Sequence, residues 1–222
     1  MHPIRIELHC HTYHSADSLM RPARLVELCR RRGIRRLAVT DHNSIAGARE
    51  AAALDPELVI VGEEIETAEG ELLGYFLQEQ IPAGLTPTEA IARLRDQGAL
   101  ISVSHPCDRF RHGAWEPEAL RRILPLVDAL EAFNARTLMG ADNRAAEQIA
   151  AGAGLLATAG SDAHAYVEVG RSGMLTPPFQ DAAGMRRALA EGEVVRRLSS
   201  PLVHFLSRYA KWRKLIAPPG GR

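Results

Sequence analysis

Strand-like and helix-like segments alternate along the chain, and that order predicts an α/β barrel in a single domain. Short apolar runs separated by helix-periodic stretches are the pattern of a largely parallel sheet. Seven or so such units exceed what a small open sheet holds and point to a barrel. The 222 residues suffice to bury roughly 70% of the unfolded chain's surface, so no disulfide or metal staple is required. Neither an internal repeat nor a linker divides the chain.

Taken in order, Ile4–Leu8 alternates like a strand, and Pro22 to Arg32 carries helical periodicity that stops at Gly33. Leu37–Thr40 reads as the next strand, followed by an alanine-rich helix from about Ser44 to Leu54. Leu58–Val61 and Leu72–Leu77 are further strands. A helix is expected from Thr86, a cap with Glu89 three residues on, to Gly98. Ala99–Val103, Val127–Glu131 and Leu155–Ala159 complete the strands, with helices near Glu116–Leu124 and Ala141–Ala151. Residues 1–195 are thus expected to form the barrel and 196–222 a basic amphipathic segment. That segment has six basic residues and no acidic one from Arg196 to Ile216. Leu202, Phe205, Leu206, Tyr209 and Trp212 fall at helical spacing, which predicts a closing helix whose apolar face docks on the barrel and whose basic face is solvated. A local grip on RNA or a phosphate backbone is the other reading. The final Pro-Pro-Gly-Gly is expected to fray.

Composition narrows the chemistry. Lys+Arg at 27 balance Asp+Glu at 27, so no global field draws the chain to a polyanion. Only Lys211 and Lys214 are lysines; the first 210 residues have none. This excludes a Schiff-base lysine, a P-loop lysine and a carboxylated-lysine metal bridge from the main body. Three cysteines (Cys10, Cys29, Cys107) without a C-x-x-C pair argue against a disulfide framework and for a reducing compartment. No apolar run reaches the ~18 residues of a membrane span. A cytoplasmic protein without membrane association is expected.

Metal-type side chains cluster at strand ends. His9-Cys10-His11 closes the first strand, its imidazoles at i and i+2 emerging on one face. Asp41-His42, Glu63-Glu64, His105 and Asp162 with His164 follow later strands. In a (β/α) barrel these strand ends converge on one rim, where active sites form. Imidazoles and carboxylates without thiolates suit an open catalytic site for zinc, manganese or iron rather than a closed structural knot. Cys10 and Cys107 point opposite to the ligands and are read as packing residues. Asp41 is expected to orient a ligand or cap the next helix.

His9-Cys10-His11-Thr12 with Ser15-Ala16-Asp17, Thr40-Asp41-His42-Asn43, Gly62-Glu63-Glu64-Ile65, Ser104-His105-Pro106 and Gly160-Ser161-Asp162-Ala163-His164 resemble the successive motifs of the PHP (polymerase and histidinol phosphatase) family, in order over residues 4 to 170. The resemblance implies a distorted (β/α)7 TIM-like barrel, two to three divalent ions (Mn2+, Fe2+ or Zn2+) and hydrolysis of phosphoesters. It further implies that His9, His11, Glu64 and Asp162 hold one ion and that Glu64 bridges to a second ion bound by His105. Asp17, His42 and His164 would hold a third. Many relatives place a histidine ligand where this chain has Glu71. A glutamate there adds negative charge and favours a harder ion.

With no lysine in the barrel, arginine must hold a substrate phosphate. Arg109, Arg111, Arg136 and Arg171 are the candidates, and His14 and His112 the candidate proton donors to a leaving group. The expected partner is a small phosphorylated substrate or a nucleic-acid end. Two other readings stay open. One is an amidohydrolase-type barrel acting on C–N bonds, and the other a non-catalytic binding module with an RNA-binding tail.

Overall fold

The structure is a computed structural model that describes residues 2–111 and 113–216. The expectations for His112 as a proton donor and for the fraying of residues 217–222 fall outside them. Nine strands and seven α-helices are present among the described residues: β1 (Ile4–Glu7), α1 (Pro22–Arg31), β2 (Ile34–Val39), α2 (Ala46–Leu54), β3 (Val59–Glu66), β4 (Glu71–Tyr75), α3 (Pro87–Asp96), β5 (Leu100–Val103), α4 (Pro117–Ile123), β6 (Ala129–Asn134), α5 (Gly140–Ala153), β7 (Leu156–Gly160), β8 (Gly173–Thr176), α6 (Ala182–Ala190), β9 (Glu193–Val195) and α7 (Val203–Ile216). No helix among the described residues is long and apolar enough to cross a membrane.

Local signals set the boundaries. Pro22 opens α1, where its missing N–H costs nothing. Thr86 and Glu89 form the expected reciprocal capping box of α3. Asp181 caps α6 by accepting from the Gly184 N–H.

The sheet runs in the order β7-β6-β5-β4-β3-β2-β1-β8-β9. β7 approaches β8 and β9, so the sheet nearly closes into a barrel. Seven strands point the same way, as expected; β4 and β8 run against them. The reversal of β4 follows from its connection. Residues 67–70 form a tight turn, with the Thr67 N–H donating to the Gly70 carbonyl at 2.9 Å, and a parallel crossover needs a dozen residues or more. Glu64 pairs with Leu73 and Glu66 with Glu71, so Glu64 and Glu71 share the inner face of the barrel.

Inside the barrel, Ile6, Ala38, Ile60, Leu73, Leu100, Ala129, Ala159 and Met174 pack with Met185, Ala188 and Leu189 of α6. Helix α6 therefore plugs the end opposite the strand C-termini. Outside, α1 and α2 cover β1 to β3 around Leu25, Leu37 and Leu58, and α3, α4 and α5 cover β4 to β6 around Leu72, Ile101 and Leu130. Cys10 and Cys29 are buried free thiols and Cys107 is half-buried; Cys10 belongs to the outer core, in keeping with a packing role.

The closing helix docks the other way round from the expectation. Val203, Ser207 and Ala210 are its buried residues, whereas Leu202, Phe205, Leu206, Tyr209 and Trp212 are exposed. The reason is what α7 lies against: a rim rich in carboxylates, carbonyls and arginine, not an apolar surface. Lys214 donates to the Tyr13 and Ser15 carbonyls, and the Arg136 guanidinium donates to Ser207 Oγ. Small and cationic residues fit that surface; large apolar ones do not.

Candidate metal centre

Most ligand-type side chains hang at or just past the C-terminal end of a strand; Glu71 opens the reversed strand β4, which brings it to the same rim, and Asp17 stands in the loop between β1 and α1. The ladder continues past β1 through a bridge between Cys10 and Ala163, with the His11 N–H on the Ala163 carbonyl at 2.9 Å. A second bridge joins His42 to Glu64. His105 and Asp162, directly after β5 and β7, adopt positive φ of 22° and 52°. Such backbone is strained for side chains other than glycine and concentrates at functional sites. Gly160 ends β7 because His9 passes over it; a Cβ there would lie 2.3 Å from His9 Cβ.

Four buried atoms point at one another: His9 Nε2, His11 Nε2, Glu64 Oε2 and Asp162 Oδ1. His9 Nε2 is 3.2 Å from Glu64 Oε2 and 3.6 Å from Asp162 Oδ1. His11 Nε2 is 3.3 Å from each of the same two oxygens. None of the four has a hydrogen-bond partner in the protein. Neighbouring groups assign the tautomers. His9 Nδ1–H donates to Glu131 Oε1 at 3.0 Å. His11 Nδ1–H donates to Ser15 Oγ at 3.1 Å, and Ser15 in turn donates to Asp41. Both Nε2 atoms therefore face carboxylate oxygens. Burial opposes a proton on His9, but Glu64, Asp162 and Glu131 hold it well above the usual imidazole range, and a divalent cation among these atoms would take that proton's place.

The rest of the cluster is continuous with this set. His105 Nε2 lies 3.0 Å from Glu64 Oε1 and 3.3 Å from Glu71 Oε2. His42 Nδ1 is 3.1 Å from Glu64 Oε2. Asp17 lies 3.3 Å from His164 and 3.7 Å from His42. Triads with ligand atoms within 4.8 Å of one another are His9–His11–Glu64, His42–Glu64–Glu71 and His11–His42–His164. All nine residues singled out from the sequence thus come together, with Glu64 central.

Electrostatics favours a cation here. Burial opposes charge on Glu64, yet His9 and His42 hold its carboxyl well below the usual range. Burial likewise opposes charge on Asp162, and Arg111 and His9 outweigh it. Burial, with His164 and His42 nearby, lowers His11 to about 3, so its close approaches to carboxylates are not ion pairs. Burial and the Glu64 charge push Glu71 up to about 9; the pair does not ionise fully at neutral pH without a compensating positive charge. The donor set fits divalent ions.

A cavity of about 660 Å3 opens over the cluster. Arg111 and Arg136 line it: Arg111 reaches Asp162 Oδ2, and Arg136 is fixed by Glu168 at 3.2 Å. Arg109 is exposed and Arg171 half-buried; neither is part of the lining. His14 reaches the rim of the cavity, with its Nε2 3.0 Å from Glu50 Oε2. Asp41 accepts the Thr12 N–H, the Thr12 hydroxyl and the Ser15 hydroxyl at 2.6 Å each. It orients His11 through Ser15, as expected of an outer partner.

Sequence reasoning passed over Glu131 and Asn134. Glu131 holds His9 and accepts the His105 N–H at 2.9 Å, and the Asn134 amide donates to both Glu131 and Asp162. Their signal was a buried carboxylate and amide inside the otherwise apolar run Ala129–Asn134. His204, Arg208 and Lys211 of α7, within the basic segment whose other reading was a grip on RNA or a phosphate backbone, also line the cavity.

An α/β barrel with a histidine–carboxylate cluster at its rim defines the class: a barrel with a candidate metal centre at its strand ends. The chain belongs to the PHP family. Residues 7–96 match the PHP domain and residues 140–194 the PHP-associated region. An uncharacterised protein of Methanocaldococcus jannaschii is 36% identical over 146 residues, 60% of this chain and 82% of the relative. Among solved structures, a two-domain protein of Bacteroides vulgatus containing a predicted PHP-like metal-dependent phosphoesterase superposes with TM-score 0.71 at 20% identity, over 88% of this chain. A lesion-specific endonuclease of Pyrococcus furiosus superposes with TM-score 0.64 at 16% identity, over 90% of this chain. This chain covers 65% and 60% of those two chains.

Proposed function

We propose that the protein is a metal-dependent phosphoesterase. The observation that carries this reading is the set of four buried, partnerless donor atoms on His9, His11, Glu64 and Asp162. These residues would hold one ion. Glu64, His105 and Glu71 would hold a second, and Asp17, His42 and His164 a third. Divalent ions in such a cluster supply Lewis-acid activation of water and a clamp for phosphoryl oxygens. Glu71 in place of a histidine favours manganese or iron over zinc.

The protein's own residues do the rest. Glu131 and Ser15, each bonded to an Nδ1 atom, keep His9 Nε2 and His11 Nε2 turned inward. Arg111, beside Asp162, and Arg136, at the wall, present planar cations to a phosphate entering the cavity. His14 would donate a proton to the leaving oxygen from the rim. A C–N hydrolase with a carboxylated-lysine bridge is disfavoured because no lysine stands on the barrel: Lys211, on α7, faces Asp17 at 3.6 Å, and Lys214 donates to the Tyr13 and Ser15 carbonyls.

The test is metal analysis together with hydrolysis of p-nitrophenyl phosphate and bis-p-nitrophenyl phosphate. Chelation is expected to abolish phosphate-ester cleavage and Mn2+ to restore it. Full activity in metal-free protein overturns the proposal.

A further inference from the structure

Helix α7 has two faces with unlike chemistry, and only one is used. Its buried side, Val203, Ser207 and Ala210, rests on the rim. Its opposite side carries Phe205, Tyr209 and Trp212, which are 64%, 51% and 58% exposed. Successive helical residues turn by about 100°, so these three rings form one seam along the outer surface. The Tyr209 and Trp212 ring centroids are 5.9 Å apart. Monomers rarely leave such a continuous apolar strip in water without a binding role.

The flank between the seam and the barrel is cationic and leads inward. Arg208 and Lys211 line the cavity above the candidate metal ligands, and Lys211 Nζ lies 3.6 Å from Asp17 Oδ2. By the same helical turn, Arg208 stands between Lys211 on the cavity side and Trp212 on the outer side. A path of positive charge therefore runs from the site to the aromatic seam.

We propose that α7 is a platform for single-stranded nucleic acid. Phe205, Tyr209 and Trp212 stack the bases, and Arg208 and Lys211 hold the phosphates between the seam and the cavity. The reading rests on the phosphoesterase activity proposed above and names its substrate as a polynucleotide strand rather than a small ester. Charge complementarity selects this occupant. Residues 196–216 hold six basic side chains and no acidic one, so a second copy of the seam would set like charge against like. A lipid surface would need the basic flank turned outward, whereas Arg208 and Lys211 face the cavity. A single strand supplies both flat bases and spaced anionic groups, the combination that aromatic residues beside a basic groove bind.

Tryptophan fluorescence tests it in the full-length chain stripped of metal by a chelator. Trp115 is buried and Trp212 exposed, so stacking on the seam reads out through Trp212. A single-stranded oligodeoxythymidylate is expected to quench the emission, with affinity that falls as salt rises. Trp212→Phe should abolish the quench. Phe205→Ala and Tyr209→Ala should each weaken binding about tenfold, and Arg208→Ala or Lys211→Ala should lower the salt slope by about one. Circular dichroism confirms that each variant is folded. Equal affinity for a duplex, quenching by phosphatidylserine vesicles but not by the oligonucleotide, or unchanged binding in the Phe205 and Tyr209 variants overturns the proposal. Because binding is read without metal, strand binding without any ester cleavage would overturn the phosphoesterase reading and leave the platform standing. Cleavage of p-nitrophenyl phosphate without strand binding would do the reverse.

Discussion

Across one cavity, the strand ends of the barrel face the inner side of α7, and the two are built on opposite principles. At the strand ends the side chains are buried, apart from the half-buried His42, and held from several directions. Glu64 alone approaches His9, His11, His42 and His105, and its neighbours are fixed in turn by Glu131, Ser15 and Asp41. On α7 the cavity-lining residues are long and cationic, anchored by a few contacts near Ser207 and Lys214. The difference teaches where tolerance to change should lie. A network with no slack fails when one member is removed, while a helix with one loaded and one free face fails only on the loaded side.

Ways to break that contrast can be ranked. Glu64→Gln removes the shared carboxylate charge and should bring ester hydrolysis to background, with loss of bound metal by elemental analysis. Glu131→Gln leaves the ligands but loosens the His9 tautomer and the His105 backbone; metal affinity or activity should fall about 10–100-fold. Gly160→Ala drives a methyl group into His9 and should cost about 1–3 kcal/mol in a denaturant melt, with weaker metal binding. On α7, Ala210→Leu overpacks the docked face and should cost about 1–3 kcal/mol. Its exposed counterpart Leu215→Gln should stay within about 0.5 kcal/mol. Equal effects of the last two would show that the helix has no preferred face.

The same contrast explains what could be read from the amino-acid order. His9-x-His11, His42, Glu64, His105 and Asp162 were visible because strand periodicity and barrel convergence place strand-end residues on one rim. Glu131 was not, since its role exists only through contacts with His9 and His105, far away in sequence. Strands β8, Gly-Met-Leu-Thr, and β9, Glu-Val-Val, show neither an apolar run of four residues nor an apolar–polar alternation. Helix α6 reveals its function only as the plug of a barrel already closed. For α7 the helical spacing was right and the direction reversed. Periodicity shows that a helix has two faces, but only the surface beneath decides which one is buried, and here that surface is polar.

The confinement of lysine to α7 has a practical consequence. An amine-reactive reagent can modify side chains at only two positions in the chain, both on that helix. Lys211 is largely exposed, whereas Lys214 is engaged by two carbonyls. The ratio of labelling at the two, read by peptide mass spectrometry, measures how often the helix lifts from the barrel without any engineered probe. The natural composition has made this one segment separately addressable.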